Sequence, residues 1–129
     1  MMFAKLGLDM RKILVLDDDT IIRSYFERLL TRLGYTVSLA ANGAEGLSAC
    51  EDPEIDLIIS DLFMPGAPFG IELIRQLREK RPSCPIVVIS GEGGMKIVQD
   101  CAALGVTEFL TKPFEMGFIR DVLQRLIQP

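Results

Sequence analysis

The sequence predicts an α/β fold, a doubly wound parallel sheet with helices on both faces, and three observations predict it. Short apolar runs alternate with helical stripes along the whole chain, and that alternation puts strands in one parallel sheet with helices as the crossovers. Two runs, Ile13-Leu14-Val15-Leu16 and Leu57-Ile58-Ile59, are apolar at every position, as strands covered on both faces must be. Four runs end in polar residues fit for chemistry: Asp17-Asp18-Asp19, Asp61, Ser90 and Lys112. In open sheets of this class the ligand site lies beyond the carboxyl ends of the strands.

Each element follows from its local pattern. Residues 12–17 read as a buried strand. Asp19 or Thr20 is placed to cap the next helix, whose stripe of Ile21, Ile22, Tyr25, Phe26, Leu29, Leu30 and Leu33 recurs at helical spacing. Gly34 ends it. Tyr35-Thr36-Val37-Ser38-Leu39 alternates apolar and polar, the pattern of a half-exposed strand. Asn42-Gly43 opens a short helix that closes near Asp52-Pro53. Residues 55–60 give the next buried strand. Met64 to Phe69 carries Pro65, Gly66 and Pro68 and reads as a loop. Ile71, Leu73, Ile74 and Leu77 define a helix ending near Lys80, and Pro82 and Pro85 bracket the turn after it. The strand at 86–89 runs into Gly91, Gly93 and Gly94. A helix over 95–104 ends at Gly105, a strand over 107–111 precedes Lys112-Pro113, and an amphipathic helix over 115–128 completes five strands and five helices.

Composition narrows the function classes. A chain of 129 residues fits one domain, and 49% hydrophobic residues suffice to fill its core. A net charge of −4 argues against a nonspecific nucleic-acid binder, which carries a basic stripe. No apolar stretch approaches the roughly 18 residues that span a bilayer. Residues 1–10 read as an N-terminal extension before a domain over 11–129. They lack the long apolar core and small-residue cleavage site of a secretory signal. Cys50, Cys84 and Cys101 form neither a disulfide framework nor a zinc pattern, and read as buried thiols in a reducing cytoplasm. With no His, imidazole catalysis and His-metal sites are excluded.

The strand-end residues point to one kind of chemistry. Crowded carboxylates repel one another unless a cation offsets the charge. Oxygen ligands without His or Cys select Mg²⁺ or another hard ion, which also takes phosphate oxygens. Lys112 would supply positive charge to a phosphoryl group and Ser90 a hydrogen-bond donor. No Ser-His or Cys-His pair exists, so the candidate nucleophile is a carboxylate, which forms an acyl phosphate. Gly91-Glu92-Gly93-Gly94-Met95-Lys96 matches neither G-x-G-x-x-G nor G-x-x-x-x-G-K-[ST], and reads as a loop over the site.

Val15-Leu16-Asp17-Asp18-Asp19, Ile59-Ser60-Asp61 followed by Met64-Pro65, Ser90, and Lys112-Pro113-Phe114 together resemble the receiver domain of bacterial two-component response regulators. The resemblance covers residues 11–128. Its spacings fit, with Asp61 falling 44 residues after Asp17, Ser90 29 after Asp61 and Lys112 22 after Ser90. Gly34-Tyr35 and Ala41-Asn42-Gly43 fit as well. The resemblance implies a flavodoxin-like sheet of strand order 2-1-3-4-5. It makes Asp61 the phosphoacceptor. It assigns Mg²⁺ to Asp18 and Asp61, with Asp17 in or just behind the ligand shell and the backbone carbonyl of Phe63 as a further ligand. Ser90 would follow the phosphoryl group, and Phe109 would be the switch aromatic that turns inward with it. Asp19 is expected to be a helix cap rather than a ligand. The loop after Asp61 is slightly long for the family, and Phe63 is apolar where the family is often polar. That suggests a ring that restricts the attacking water and lengthens the phosphoryl lifetime.

The implied function is a phosphorelay module, not an enzyme beyond its own phosphorylation and dephosphorylation. A sensor histidine kinase or histidine phosphotransfer protein would donate to Asp61. The output face, built from the 95–104 helix, the 107–111 strand and the last helix, would engage an unknown downstream protein or a phosphorylation-dependent homodimer. No direct nucleic-acid binding and no membrane association are expected. The chain would be a stand-alone receiver or one cut from a longer protein. Two other readings compete. Asp17-Asp18-Asp19-Thr20-Ile21 nearly meets the D-x-D-x-[TV] signature of haloacid-dehalogenase-type phosphohydrolases, with Asp17 as nucleophile. A phosphorylation-independent docking module is the third.

Overall fold

The computed structural model describes residues 11–127. The expected N-terminal extension over 1–10 and the predicted end of the last helix at Gln128 lie outside these residues. Five strands, β1 (Lys12–Leu16), β2 (Thr36–Ala40), β3 (Ile55–Ser60), β4 (Ile86–Ser90) and β5 (Glu108–Thr111), alternate with α1 (Thr20–Arg32), α2 (Gly43–Ala49), α3 (Gly70–Lys80), α4 (Met95–Ala103) and α5 (Met116–Leu126). All four strand pairings are parallel, and the order is β2-β1-β3-β4-β5. Both the fold class and the strand order are those the sequence suggested.

Strand alternation divides the core between the two faces of the sheet. Ile13, Val15, Leu57, Ile59, Val87 and Ile89 meet Phe26, Leu29 and Leu30 of α1 and Ile119, Val122 and Leu123 of α5. Leu14, Leu16, Ile58, Ile86 and Val88 meet Leu73, Ile74 and Leu77 of α3, with Cys50 and Cys101. This is why the central runs are apolar throughout. The three cysteines are buried free thiols, and burial pushes the pKa of each up. Among the described residues, no helix is long and apolar enough to cross a membrane.

The helix ends are set by local chemistry. Asp19 caps α1, its Oδ1 accepting from the amides of Ile21 (2.8 Å) and Ile22 (3.4 Å). At the other end Gly34 takes φ 100°, which lets its amide reach Thr31 O and that of Tyr35 reach Leu30 O, both at 3.0 Å. Tyr35 therefore closes α1 rather than opening β2, and β2 begins one residue later than its alternation suggests. α2 stops at Ala49, short of the predicted end, because the chain turns through Cys50 to Asp52, whose Oδ1 accepts from Glu54 N at 2.9 Å. At the start of α2, Asn42 Oδ1 accepts from Glu45 N at 2.9 Å, and the Glu45 carboxylate accepts in return from Asn42 Nδ2 and Ala41 N.

The winding reverses between β1 and β3. β1 is followed in the chain by β2 on one side, whereas β3 pairs with the other side of β1. The crevice beyond the ends of β1 and β3 is the position where such sheets bind ligands. Asp17 and Asp61 are the first residues past those two strand ends.

Candidate functional site

Asp17 is held on every side. Its amide continues the ladder by donating to Ala40 O at 3.1 Å. Its Oδ1 accepts from Asp19 N at 2.9 Å and its Oδ2 from Lys112 Nζ at 3.0 Å. The residue is buried. Burial pushes its pKa above the usual 3.8, with the Asp61 charge adding to that, against the lowering effect of the Asp19 amide and Lys112.

Asp61 is bound in a similar way. Its amide donates to Leu16 O at 2.9 Å. Its own Oδ1 accepts from Leu62 N at 2.7 Å, its Oδ2 from Lys112 Nζ at 3.1 Å, and its backbone carbonyl from the buried Ser60 hydroxyl at 2.7 Å. Asp18 completes the group from the solvent side. Asp17, Asp18 and Asp61 each offer a carboxylate oxygen, and these atoms lie within 4.8 Å of one another. Asp19 is outside the group, in keeping with its role as a cap.

Lys112 enters from the end of β5. Its backbone amide donates to Ser90 O at 2.8 Å, which extends the β4–β5 pairing of Ser90 with Thr111 by one step. The peptide bond to Pro113 is cis. Burial works against the charge on Lys112, but the hydrogen bonds to Asp17 and Asp61 and the charges of those carboxylates outweigh it, so the pKa is raised above 10.5.

The remaining candidates stand further out. The Ser90 hydroxyl is buried and accepts from Glu92 N at 3.2 Å, which folds the following loop over it. It has no direct contact with the three carboxylates. Phe63, two residues past Asp61, is 42% exposed. Phe109 is partly buried against the core under α3 and α4. A Cβ built on Gly93 would lie 3.4 Å from Phe109 Cε1 and 2.7 Å from Thr111 Cγ2, so the loop after Ser90 rests on Phe109. One contact had no strand-end signal in the sequence: Arg23, in the first turns of α1, donates from Nη1 to Asp17 O at 2.6 Å.

The donor set fits a hard divalent cation. It contains only oxygen, is strongly anionic, has one open side at Asp18, and includes a buried carboxylate whose ionisation another positive charge would favour. It can also do covalent chemistry, since Asp61 presents a carboxylate beside a lysine ammonium that can stabilise phosphoryl oxygens.

Comparisons with known proteins agree with this fold. The sequence model of the response regulator receiver domain matches residues 13–124. The DNA-binding transcriptional regulator NtrC of Escherichia coli (strain K12) is 31% identical over 88% of this chain, which spans only 24% of that relative's length. Among solved structures, the chemotaxis protein CheY4 of Vibrio cholerae superposes with a TM-score of 0.83 at 33% identity, covering 92% of this chain and 100% of that one. The receiver domain of the sensor histidine kinase PA1611 from Pseudomonas aeruginosa PAO1 has a TM-score of 0.81 at 26% identity, covering 94% of this chain and all (100%) of the other. That structure holds a magnesium ion in its active-site cleft. With its strand order, its crevice of carboxylates and lysine, and a family match over most of its length, this chain belongs to the receiver domains of two-component response regulators.

Proposed function

We propose that Asp61 is the phosphoacceptor of this receiver. A carboxylate oxygen of Asp61 forms a bond to phosphorus, the phosphorus–nitrogen bond of a phosphohistidine breaks, and the imidazole leaves with the electron pair. The single observation that carries this reading is the double contact of Lys112 with Asp17 and Asp61 beside the Asp18 carboxylate. It gathers a nucleophile, a cation for the phosphoryl oxygens and a set of oxygen ligands in one crevice.

Asp17, Asp18 and Asp61, with the Phe63 backbone carbonyl, would hold Mg²⁺, whose charge offsets that of the incoming phosphoryl group. Lys112 turns from the carboxylates to the phosphoryl oxygens. Ser90 donates its hydroxyl proton to a phosphoryl oxygen and draws the 91–94 loop inward, and Phe109, which lies under Gly93, follows. The donor is a sensor histidine kinase or a histidine phosphotransfer protein. The signal passes from the face of α4, β5 and α5 to a downstream protein or a second copy of the chain. Residues 11–129 form the receiver unit and residues 1–10 an extension, in the cytoplasm.

The hydrolase alternative loses support because the second aspartate of its signature, Asp19, is engaged as the α1 cap. Intact mass after treatment with acetyl phosphate and Mg²⁺ tests the proposal. Wild type is expected to gain one phosphoryl group and Asp61→Asn none. Retained labelling of Asp61→Asn together with its loss in Asp17→Asn would reverse the assignment. An unlabelled wild type would favour the docking-module reading.

A further inference from the structure

The turn that carries the first two carboxylates is fixed from α1. β1 ends at Leu16, and Asp17 O makes no backbone hydrogen bond to a neighbouring strand. Arg23 supplies a donor instead. Its guanidinium reaches back over the start of the helix, with Nη1 2.6 Å from Asp17 O and Nη2 3.4 Å from Thr20 Oγ1. The amide of Asp17 is already tied to Ala40 O at 3.1 Å. With both its amide and its carbonyl engaged, residue 17 hands a fixed peptide plane to residue 18.

Asp18 depends on that plane. Its side chain is exposed, and it makes no hydrogen bond or ion pair to any described residue. Even so, a carboxylate oxygen of Asp18 stands within 4.8 Å of oxygens on Asp17 and Asp61. Nothing on the side chain holds it there, so the backbone must, and the backbone at that point is held by Arg23 on the Asp17 carbonyl before it and by the Asp19 amide, bound to Asp17 Oδ1, after it.

We propose that Arg23 is a positioning residue for the cation site: through the Asp17 carbonyl it keeps the Asp18 carboxylate in register with those of Asp17 and Asp61. The proposal rests on the reading of this crevice as a divalent-cation site. Groups that orient the ligands of a metal typically change its affinity by roughly 10- to 100-fold when removed. The effect is one of geometry rather than net charge, which gives it a control. Arg28, on the same helix, is exposed, carries the same charge, and has no contact with the crevice among the described residues.

Calorimetric titration of Mg²⁺ into the full chain tests this with wild type, Arg23→Met, Arg23→Lys, Arg28→Met and Asp18→Asn. Arg23→Met is expected to raise the Kd about tenfold. Arg23→Lys keeps one donor for Asp17 O and is expected to recover most of the loss, while Arg28→Met binds as wild type does. Saturating Mg²⁺ is expected to restore acetyl phosphate labelling of Arg23→Met, so the defect lies in the Mg²⁺ concentration needed and not in the maximal rate. Binding by Arg23→Met equal to wild type, or an equal loss in Arg28→Met, overturns the proposal. Absence of Mg²⁺ binding in wild type, or its persistence unchanged in Asp18→Asn, instead overturns the cation-site reading and the proposal with it. If circular dichroism shows Arg23→Met unfolded, Arg23→Gln, which is neutral and too short to reach, is read by the same criteria.

Discussion

Lys112 Nζ bridges two carboxylates of the crevice, donating to Asp17 Oδ2 at 3.0 Å and to Asp61 Oδ2 at 3.1 Å. One ammonium thus offsets part of the charge that a divalent cation would otherwise offset alone. Lysine and metal therefore compete electrostatically for the same oxygens. Lys112→Met is expected to tighten Mg²⁺ binding by about three- to tenfold, a modest effect because the lysine head is partly solvated and screened. Calorimetry at neutral pH and low salt measures it, and raising the salt should narrow the difference between the two proteins.

Asp17 links this charge balance to stability. Burial holds its pKa above 3.8, so the folded chain binds the Asp17 proton more tightly than the unfolded chain does. Its ionised form opposes folding at neutral pH. Asp17→Asn without Mg²⁺ is expected to raise the melting temperature at pH 7, by an amount held down by loss of the Lys112–Asp17 ion pair. The gain should shrink as pH falls through the raised pKa and vanish below 3.8, where the carboxyl is protonated in both states. Thermal melts across that range measure it. Added Mg²⁺ should stabilise wild type and leave Asp17→Asn little changed.

Which of these features the sequence discloses has a physical basis. β1 and β3 are legible because strands covered on both faces leave no polar position to obscure the run. Asp17, Asp61 and Ser90 are legible because each stands at the end of such a run, whereas Lys112 follows the half-buried edge strand β5 and is legible from the Lys-Pro pair that ends it. The start of β2 is not, because Tyr35 satisfies the alternation of a strand while its amide closes α1 on Leu30 O. The bridging geometry of Lys112 requires β5 to lie two strands away from β1's neighbour β3, which local pattern cannot supply. Arg23 is invisible for another reason. An arginine in an amphipathic helix is ordinary, and only the path of the turn shows that it meets Asp17.

Phe63 tests how the loop after Asp61 controls the lifetime of the phosphoryl group. Its side chain is exposed at the mouth of the loop, close enough to α3 that a Cβ on Gly70 would lie 3.6 Å from Phe63 Cε1. An apolar ring there offers a hydrolytic water no hydrogen bond, whereas an amide would orient one. Phe63→Asn is expected to speed loss of phosphate by about three- to tenfold, equivalent to roughly 1 kcal/mol in the barrier. The decay of acetyl phosphate-labelled protein after removal of the donor measures the rate, and an unchanged decay would remove the ring from the mechanism.

The same loop depends on a glycine in another element. A Cβ built on Gly43, the first residue of α2, would fall 2.2 Å from the backbone carbonyl oxygen of Pro68 and 3.2 Å from Leu73 Cδ1. The helix start and the loop therefore touch backbone to backbone, and neither has a flexible side chain to give way. The far end of the loop is fixed by Gly70 N donating to Leu62 O at 2.7 Å, so displacement at Pro68 is carried toward Phe63 and Asp61. Gly43→Ala is expected to cost about 1–3 kcal/mol, as overpacking does, and to weaken Mg²⁺ binding as well. Gly117 in α5 is the control, because a Cβ there meets nothing within 4 Å, and Gly117→Ala is expected to be neutral or to stabilise by up to about 1 kcal/mol. Urea denaturation of both variants measures the costs. A Gly43→Ala protein as stable as wild type, with unchanged Mg²⁺ affinity, would mean that the loop can yield at Pro68 without moving the residues beside Asp61.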